Sequence, residues 1–394
     1  MDNIRIVIVG LGKRGQYWLS LLKDMPGYDI VALCDLLEQN RDDALSQLDG
    51  GPDVRSYERY EDVLADDRVD AVALAVRALE QGAMAAQALE AGKHVNAEVP
   101  AAHSIDDCWR IVLAAERSGK TYHLAEQLRY CGFIQSWQRM VDQGNLGKIM
   151  FVEGQYFHYL PDHFHTDRRT GAFVRSDELD DHTHCEPSIL QRMPPIHYLP
   201  HEMSPMLKVL NDRVVQVVGM GSSAPSQVLP DVATPDFQIG LMKTAKGAVL
   251  RLATTFQLPG PHTAEGISSW HWYHVKGSKG LVESPRAGRE TYVRWLHDDG
   301  TDQLETLDLS TAPVDAPDEA KRSGHGGVDW YPHARFRDHL LHGGPLDIDV
   351  YQAMDTAAPA ILAADSIDRD SQPLSVPDFR PGPDRRIGMP SSGG

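Results

Sequence analysis

Gly10-Leu11-Gly12-Lys13-Arg14-Gly15 places three glycines where a chain must turn, admit a phosphate and open a helix. Gly10 permits the tight turn, Gly12 lets a pyrophosphate approach the backbone, and Gly15 lets helix and strand pack closely. The helix that opens here offers unpaired N–H groups and a partial positive charge to an anion. Asp35 follows at the distance of one strand–helix–strand passage, and a carboxylate there can accept from ribose hydroxyls while repelling a 2′-phosphate. Leu36 and Leu37 add no positive charge. These residues predict NAD rather than NADP, with flavin as a rival reading and a bare structural turn as the bland one. The expected cofactor contacts are Gly10, Leu11, Gly12, Lys13, Arg14, Gly15, Asp35, Ala75, Val76, Glu98 and Gln127.

Hydride chemistry on an alcohol needs a base, because the hydroxyl proton must leave as the hydride does. His201 is the first candidate. Pro200 suits a first helical position, so His201 is expected in the first turn of a helix, whose positive end lowers an imidazole pKa and keeps it neutral. Tyr198 and His197 just precede it. Tyr156 and His158 lie two apart on a predicted strand and share one face. Glu126 ends the sixth predicted strand, where ligands of such sheets bind; Arg129 and Tyr130 follow it. The segment 158–186 carries His158, His163, His165, Asp180, Asp181, His182, His184, Cys185 and Glu186, and reads as a loop over a cleft. Its H-x-H pairs miss the usual zinc spacings, so no metal is expected. Trp270, Trp272 and Tyr273 read as packing residues, and His325 and Asp329 lie in a Gly-rich turn that can approach the cleft.

Positioning these groups requires two kinds of architecture. Residues 4–9, 28–34 and 69–76 are short apolar runs of buried parallel strands, joined by further strands at 93–97 and 120–125 and by helices at 79–91 and 104–118. Ser104, with Asp107 three residues on, caps the last of these. Alternating strands and helices predict a doubly wound parallel sheet over 1–125. A helix at 132–143 is followed by strands near 148–159, 213–223, 235–243, 247–256, 269–276 and 280–284, then helices at 328–341 and 349–364. That order predicts an α+β domain over 126–371 on an open, mostly antiparallel sheet, and an extended or disordered tail over 372–394.

Size and charge narrow the classes. A chain of 394 residues exceeds one ordinary core. A net charge of −18 disfavours nucleic acid and anionic membrane as partners. Four scattered cysteines, no basic-then-apolar leader and no long apolar run point to a reduced, cytoplasmic setting.

Four stretches then resemble the glucose–fructose oxidoreductase / inositol dehydrogenase (Gfo/Idh/MocA) superfamily: IRIVIVGLGKRG, ALEAGKHVNAEVP, MVDQGNLGKIMFVEGQY, and GHGGVDWYPHARFRDHLLHGGPLDIDVYQAMD. The resemblance implies a nicotinamide facing a cleft between the two domains, a sugar or polyol substrate, and a homodimer or homotetramer. The chain departs from the dehydrogenase pattern at Glu98-Val99-Pro100, where the family's Glu-Lys-Pro lysine is thought to help deprotonate the hydroxyl. The usual Thr-Pro-Asn is replaced by Val76-Arg77-Ala78. Glu-Val-Pro with Tyr198-x-x-His201 resembles a branch that includes NAD-dependent glycoside hydrolases, whose functional residues would fall on Glu126, Tyr156, Tyr198 and His201. Three readings follow: an NAD-dependent oxidoreductase acting on a sugar or polyol, an NAD-retaining glycosidase that oxidises transiently and eliminates, and a non-catalytic NAD sensor.

Overall fold

The computed structural model describes residues 3–48, 53–160, 162–167, 171–181, 184–229, 231–258, 270–284, 291–296, 302–307, 313, 315–383 and 385. Its first half is a six-stranded parallel sheet built from β1 (Ile4–Val9), β2 (Tyr28–Cys34), β3 (Arg55–Tyr57), β4 (Ala71–Leu74), β5 (His94–Ala97) and β6 (Tyr122–Leu124). The strand order is β3-β2-β1-β4-β5-β6, so the direction of winding reverses between β1 and β4. Helices α1 (Lys13–Leu22), α2 (Glu38–Ser46), α3 (Tyr60–Leu64), α4 (Ala78–Glu90) and α5 (Ile105–Ser118) connect the strands. β1 is apolar throughout because both of its faces are covered. Ile4, Ile6 and Ile8 pack with Trp18, Leu19 and Leu22 of α1, whereas Val7 and Val9 face a second core. The Ser104 side chain caps α5 by accepting from the Asp107 N–H at 3.1 Å.

β3, α2 and α3 were not among the predicted elements. α2 buries only Ala44 and therefore shows no apolar stripe.

After α6 (Gly132–Asp142) the chain builds a nine-stranded sheet. It runs from β7 (Ile149–Phe157) through a small three-stranded sheet of β8 (His165–Asp167), β9 (Phe173–Val174) and β10 (Cys185–Pro187). Next come α7 (Ile189–Arg192), α8 (Pro200–Leu210), β11 (Val214–Gly221), β12 (Gln238–Thr244), β13 (Val249–Thr255), β14 (His271–Gly277), β15 (Gly280–Glu283), β16 (Thr291–Leu296) and β17 (Asp302–Leu307). The order across the large sheet is β17-β16-β15-β14-β7-β13-β12-β11-β18, where β18 is Leu374–Ser375; β7 and β13 pair in parallel and the remaining pairs are antiparallel. The mixed, mostly antiparallel sheet is the one the sequence predicts.

Two short turns, α9 (Asp318–Lys321) and α10 (Gly324–Gly327), lead into α11 (Trp330–His342) and α12 (Val350–Ile367). α12 starts with a full capping box between Asp349 and Gln352. It lies directly on the sheet because Gly219 offers no side chain: a Cβ there would come within 2.0 Å of the Ala363 carbonyl oxygen.

α11 returns to the first sheet, placing Ala334 and Phe336 in the core around Trp18. His333 on α11 meets the Asn96 side chain at 2.9 Å, and Asn96 in turn meets His123 at 2.9 Å, all three fully or almost fully buried.

The tail is an ordered arm through residue 383. β18 adds to β11, Phe379 is buried against Trp109 of α5, and Arg380 pairs with Asp355 of α12. The rest of the tail predicted as extended or disordered, from 386 onward, lies outside the described residues. Among the described residues no helix is long and apolar enough to cross a membrane.

Candidate active site

The glycine loop lies at the winding reversal, between the carboxyl ends of β1 and β4, where open α/β sheets bind ligands. Gly10 has φ +84°, and a Cβ there would meet the Ala75 carbonyl oxygen at 2.5 Å. A Cβ at Gly15 would fall 1.8 Å from the Gly10 carbonyl oxygen, so the helix can start here only without one. A Cβ at Gly12 would meet nothing within 4 Å: this glycine borders open space at the start of α1. The first turn of α1 holds no acidic residue to compete with an anion.

Asp35 accepts from the Leu11 N–H at 2.6 Å with one oxygen, and from the Leu37 N–H at 2.8 Å and Asn40 at 3.2 Å with the other. The first oxygen retains a lone pair for a ribose hydroxyl. In the short turn that follows β6, the buried Gln127 side-chain oxygen has no hydrogen-bond partner. An anion-ready helix start, an open glycine and an orphaned acceptor fit a dinucleotide laid over the switch point.

Two expected contacts differ in kind. Leu11 is fully buried and its N–H belongs to Asp35, so it shapes the loop from within. The Arg14 guanidinium turns away from the phosphate side, donating to Glu98 at 2.6 Å and reaching Asp329 at 3.5 Å. Its charge is consumed in joining the loop to Glu98 and to the 324–329 turn. Lys13 stays exposed, 5.9 Å from the Phe173 ring of β9. Arg41, unremarked in the sequence, donates to the Asp35 carbonyl at 2.7 Å.

Beyond β6 the candidate catalytic residues converge. Glu126 is fully buried, caps the short turn at Gln127–Tyr130 through the Leu128 N–H, and sets its other oxygen 2.7 Å from His201 Nδ1. His201 stands in the first turn of α8, as predicted, but its pKa is raised. Burial opposes the charged imidazole, and the Glu126 carboxylate outweighs that opposition. The expected lowering by the helix end is overridden because the carboxylate is in contact.

Tyr156 stands edge-on to His201, with ring centroids 5.4 Å apart, and its hydroxyl is 3.4 Å from His158 Nδ1. On its far side the Tyr156 ring stacks flat on His271 at 4.7 Å. His271 meets Glu202 at 2.6 Å, both inside the protein. Burial, then the charge of Glu126, pushes the Glu202 carboxyl up; burial, then the imidazoles His201, His325 and His158, pushes His271 down. The pair therefore holds its proton on the carboxyl and is neutral.

Tyr198 packs edge-on against Phe256, and burial, then the Glu98 charge, pushes its phenol up to about 12. Burial likewise holds the Tyr156 phenol well above its usual range.

His197 is not part of this cluster. It is buried beside His103, with ring centroids 6.4 Å apart, and burial pushes its pKa down to about 3. It sits in the short turn Pro195–Tyr198, where its ring neighbours His103. The sequence missed Glu202 and His271. His271 was hidden among aromatics, yet it shares the inward parity of Tyr273 and Val275 on β14. From segment 158–186, Glu186 pairs with Arg77 at 3.3 Å and His165 with Gln191 at 3.0 Å. Among the described residues no three His, Cys, Asp or Glu side chains are grouped to hold a metal; His182 lies outside them.

Residues 4–126 match the model described as oxidoreductase family, NAD-binding Rossmann fold, and residues 134–283 match the GFO/IDH/MocA C-terminal domain. The chain belongs to the Gfo/Idh/MocA family. Residues 226–383 of this Gfo/Idh/MocA enzyme also match the glycosyl hydrolase 109 C-terminal domain. It is 28% identical to glycosyl hydrolase family 109 protein 1 of Bacteroides thetaiotaomicron, over 97% of this chain and 86% of that protein. Its identity to the family 109 protein of Saccharopolyspora erythraea is also 28%, over 97% and 84%. Its fold matches a levoglucosan dehydrogenase solved with NADH and L-sorbose (14% identity, 96% and 100% covered, TM-score 0.73). It also matches an Agrobacterium radiobacter oxidoreductase solved with NAD+, L-tartaric acid and magnesium (17% identity, 95% and 98% covered, TM-score 0.72). NAD is the cofactor of the first domain.

Proposed function

We propose that this Gfo/Idh/MocA enzyme is an NAD-dependent glycoside hydrolase that oxidises its sugar transiently, eliminates the glycosidic substituent, and returns the sugar to its original oxidation level. The observation that carries this reading is the pairing of a buried His201–Glu126 couple with two protonated phenols in a site whose lysine position is Val99. Held over Gly10–Gly15 and Asp35, NAD would supply a hydride acceptor that can also return the hydride. His201, held through Nδ1 by Glu126, has Nε2 available to take the hydroxyl proton. Glu126 orients the ring and favours the imidazolium that results. The ketone so formed acidifies the neighbouring C–H, and loss of that proton expels the glycosidic oxygen.

An expelled alkoxide needs an acid, which Tyr156 or Tyr198 can be only while protonated. Burial keeps both phenols so at neutral pH. Water then adds, and the proton and hydride movements reverse. The membership of residues 226–383 in the glycosyl hydrolase 109 model supports this order of events over simple oxidation.

Net oxidation of a sugar or polyol is the second reading. It uses the same cofactor and base, and it is favoured by the oxidoreductase character of residues 4–126. A panel of aryl glycosides and free sugars separates the two. Aglycone release with no net NADH supports hydrolysis, and NADH in proportion to substrate supports oxidation. Retained NAD with neither product would leave a sensor and overturn both.

A further inference from the structure

Transient oxidation followed by elimination asks for two proton acceptors before either proton is returned. After the hydroxyl proton has moved to His201, that ring is an imidazolium and cannot take the C–H proton as well. The two buried phenols are donors, and Glu202 carries its own proton. A second acceptor is therefore required, and the turn over Gly324–Gly327 holds one.

His325 has φ +50°, ψ +40°, a left-handed conformation that a non-glycine residue adopts only under constraint, and Gly326 and Gly327 beside it have φ +69° and +96°. Its Nδ1 lies 2.8 Å from the carboxylate of Asp329, which is 2% exposed. Asp329 is in turn 3.5 Å from Arg14 of the glycine loop, and Arg14 holds Glu98, next to the vacant lysine position. The Tyr17 hydroxyl accepts from the Gly324 N–H and fastens the turn to α1. The His325 side chain remains 29% exposed. Strained backbone, a buried carboxylate behind Nδ1, and a ring left accessible are the features of a poised base rather than of a packing residue.

We propose that His325, oriented by Asp329, is the second proton acceptor of the site and takes the carbon-bound proton beside the transient ketone. This rests on the reading that NAD oxidises the substrate in this cleft. The C–H proton moves to Nε2 of His325. The C–H electron pair becomes the new C=C bond as the C–O bond to the substituent breaks, and the departing oxygen takes a phenol proton. When water adds, its O–H proton restores the phenol, its oxygen joins the anomeric carbon, and the imidazolium returns its proton to carbon. The charged and titratable groups that act on His325 are Asp329 on its own turn and His271 from β14; Arg14 of α1 is bound to Asp329 and to Glu98 after β5, and Tyr17 of α1 to the Gly324 N–H.

The test has a binding arm and a catalytic arm. The His325 imidazole resonance is assigned by its loss in His325→Asn, because asparagine tolerates the left-handed backbone, with His325→Gln as the second assigning variant. It is then titrated in wild-type protein loaded with NAD+ or with NADH. A nicotinamide cation nearby is expected to lower the His325 titration in the NAD+ form by on the order of half a pH unit or more relative to NADH. In D2O, wild type is expected to exchange the carbon-bound hydrogen, and His325→Asn to exchange it about 100-fold more slowly while still reducing bound NAD+ with sugar.

Equal titrations with both nucleotides, or wild-type exchange in His325→Asn, would overturn the assignment while leaving the NAD reading intact. Wild-type protein that neither binds NAD nor exchanges would overturn both.

Discussion

Replacing the buried Glu202–His271 pair by Met and Phe is expected to leave the protein as stable as before or more so, although it removes two polar groups from the site. The two atoms are 2.6 Å apart, Glu202 is fully buried, and its second oxygen has no partner. Methionine is the right substitute at 202: Gly154 lies beneath it, with its virtual Cβ 3.1 Å from the Glu202 Cγ, so only an unbranched chain fits. Phenylalanine at 271 keeps the flat stack on Tyr156.

Each single change strands a buried donor or acceptor, which costs about 1–3 kcal/mol. The double change strands neither, and replacing both partners of a neutral buried hydrogen bond by apolar groups of similar shape is neutral or stabilising. The coupling in the double-mutant cycle is therefore at least about 2 kcal/mol. Urea unfolding of the four proteins at pH 7.5 measures it. The double variant should also lose turnover, because Tyr156 would then rest on an apolar surface where it now has a polar one. Single costs that add to the double cost within about 0.5 kcal/mol would show that the two side chains are not one unit.

Three further outcomes follow from the same geometry. Glu126→Gln keeps the shape of the contact with His201 but removes its charge, so turnover should fall about 10²–10⁴-fold with little change in NAD affinity, measured by tryptophan quenching. Burial pushes both His123 and His333 down to about 3, so they stay neutral in the fold while the unfolded chain takes up protons below about 6.5. Their contribution is complete above pH 6.5 and is lost on acidification, by about 2 kcal/mol each at pH 5, so urea midpoints should drop between pH 7.5 and pH 5.0; a rise would contradict the neutral assignment. Met220, Leu241 and Val249 are 61%, 50% and 42% exposed on the outer side of the large sheet, and we propose that this face joins copies of the chain. Leu241→Glu should then convert a dimer or tetramer to monomer in sedimentation.

How far the sequence could be read depended on how local the determinants were. The glycine loop, Asp35 and the strands around them were legible because each residue does its work within one β-α-β passage, and the same holds for Pro200 opening α8. The His201 pKa was not legible: its direction is set by Glu126, 75 positions away in the chain and in contact only after folding. Arg14 looked like a phosphate ligand by position, yet it is drawn inward by Glu98 and by Asp329 from the far end of the chain. Glu202 stands next to His201 and His271 shares the inward parity of Tyr273 and Val275, but nothing local pairs them: the contact exists only across the helix–sheet interface. The Pro and Gly content of the tail left an extended arm and disorder both open; contacts of Phe379 with α5 and of Arg380 with α12, invisible in the sequence, anchor its described part.

Hydrolysis of a reactive glycoside in D2O, followed by mass and NMR analysis of the released sugar, tests the redox-elimination chemistry most directly. A transient ketone predicts one deuterium bound to carbon next to the oxidised position, with the enzyme's NAD recovered oxidised. Released sugar free of carbon-bound deuterium, or one NADH for every molecule consumed, would contradict it.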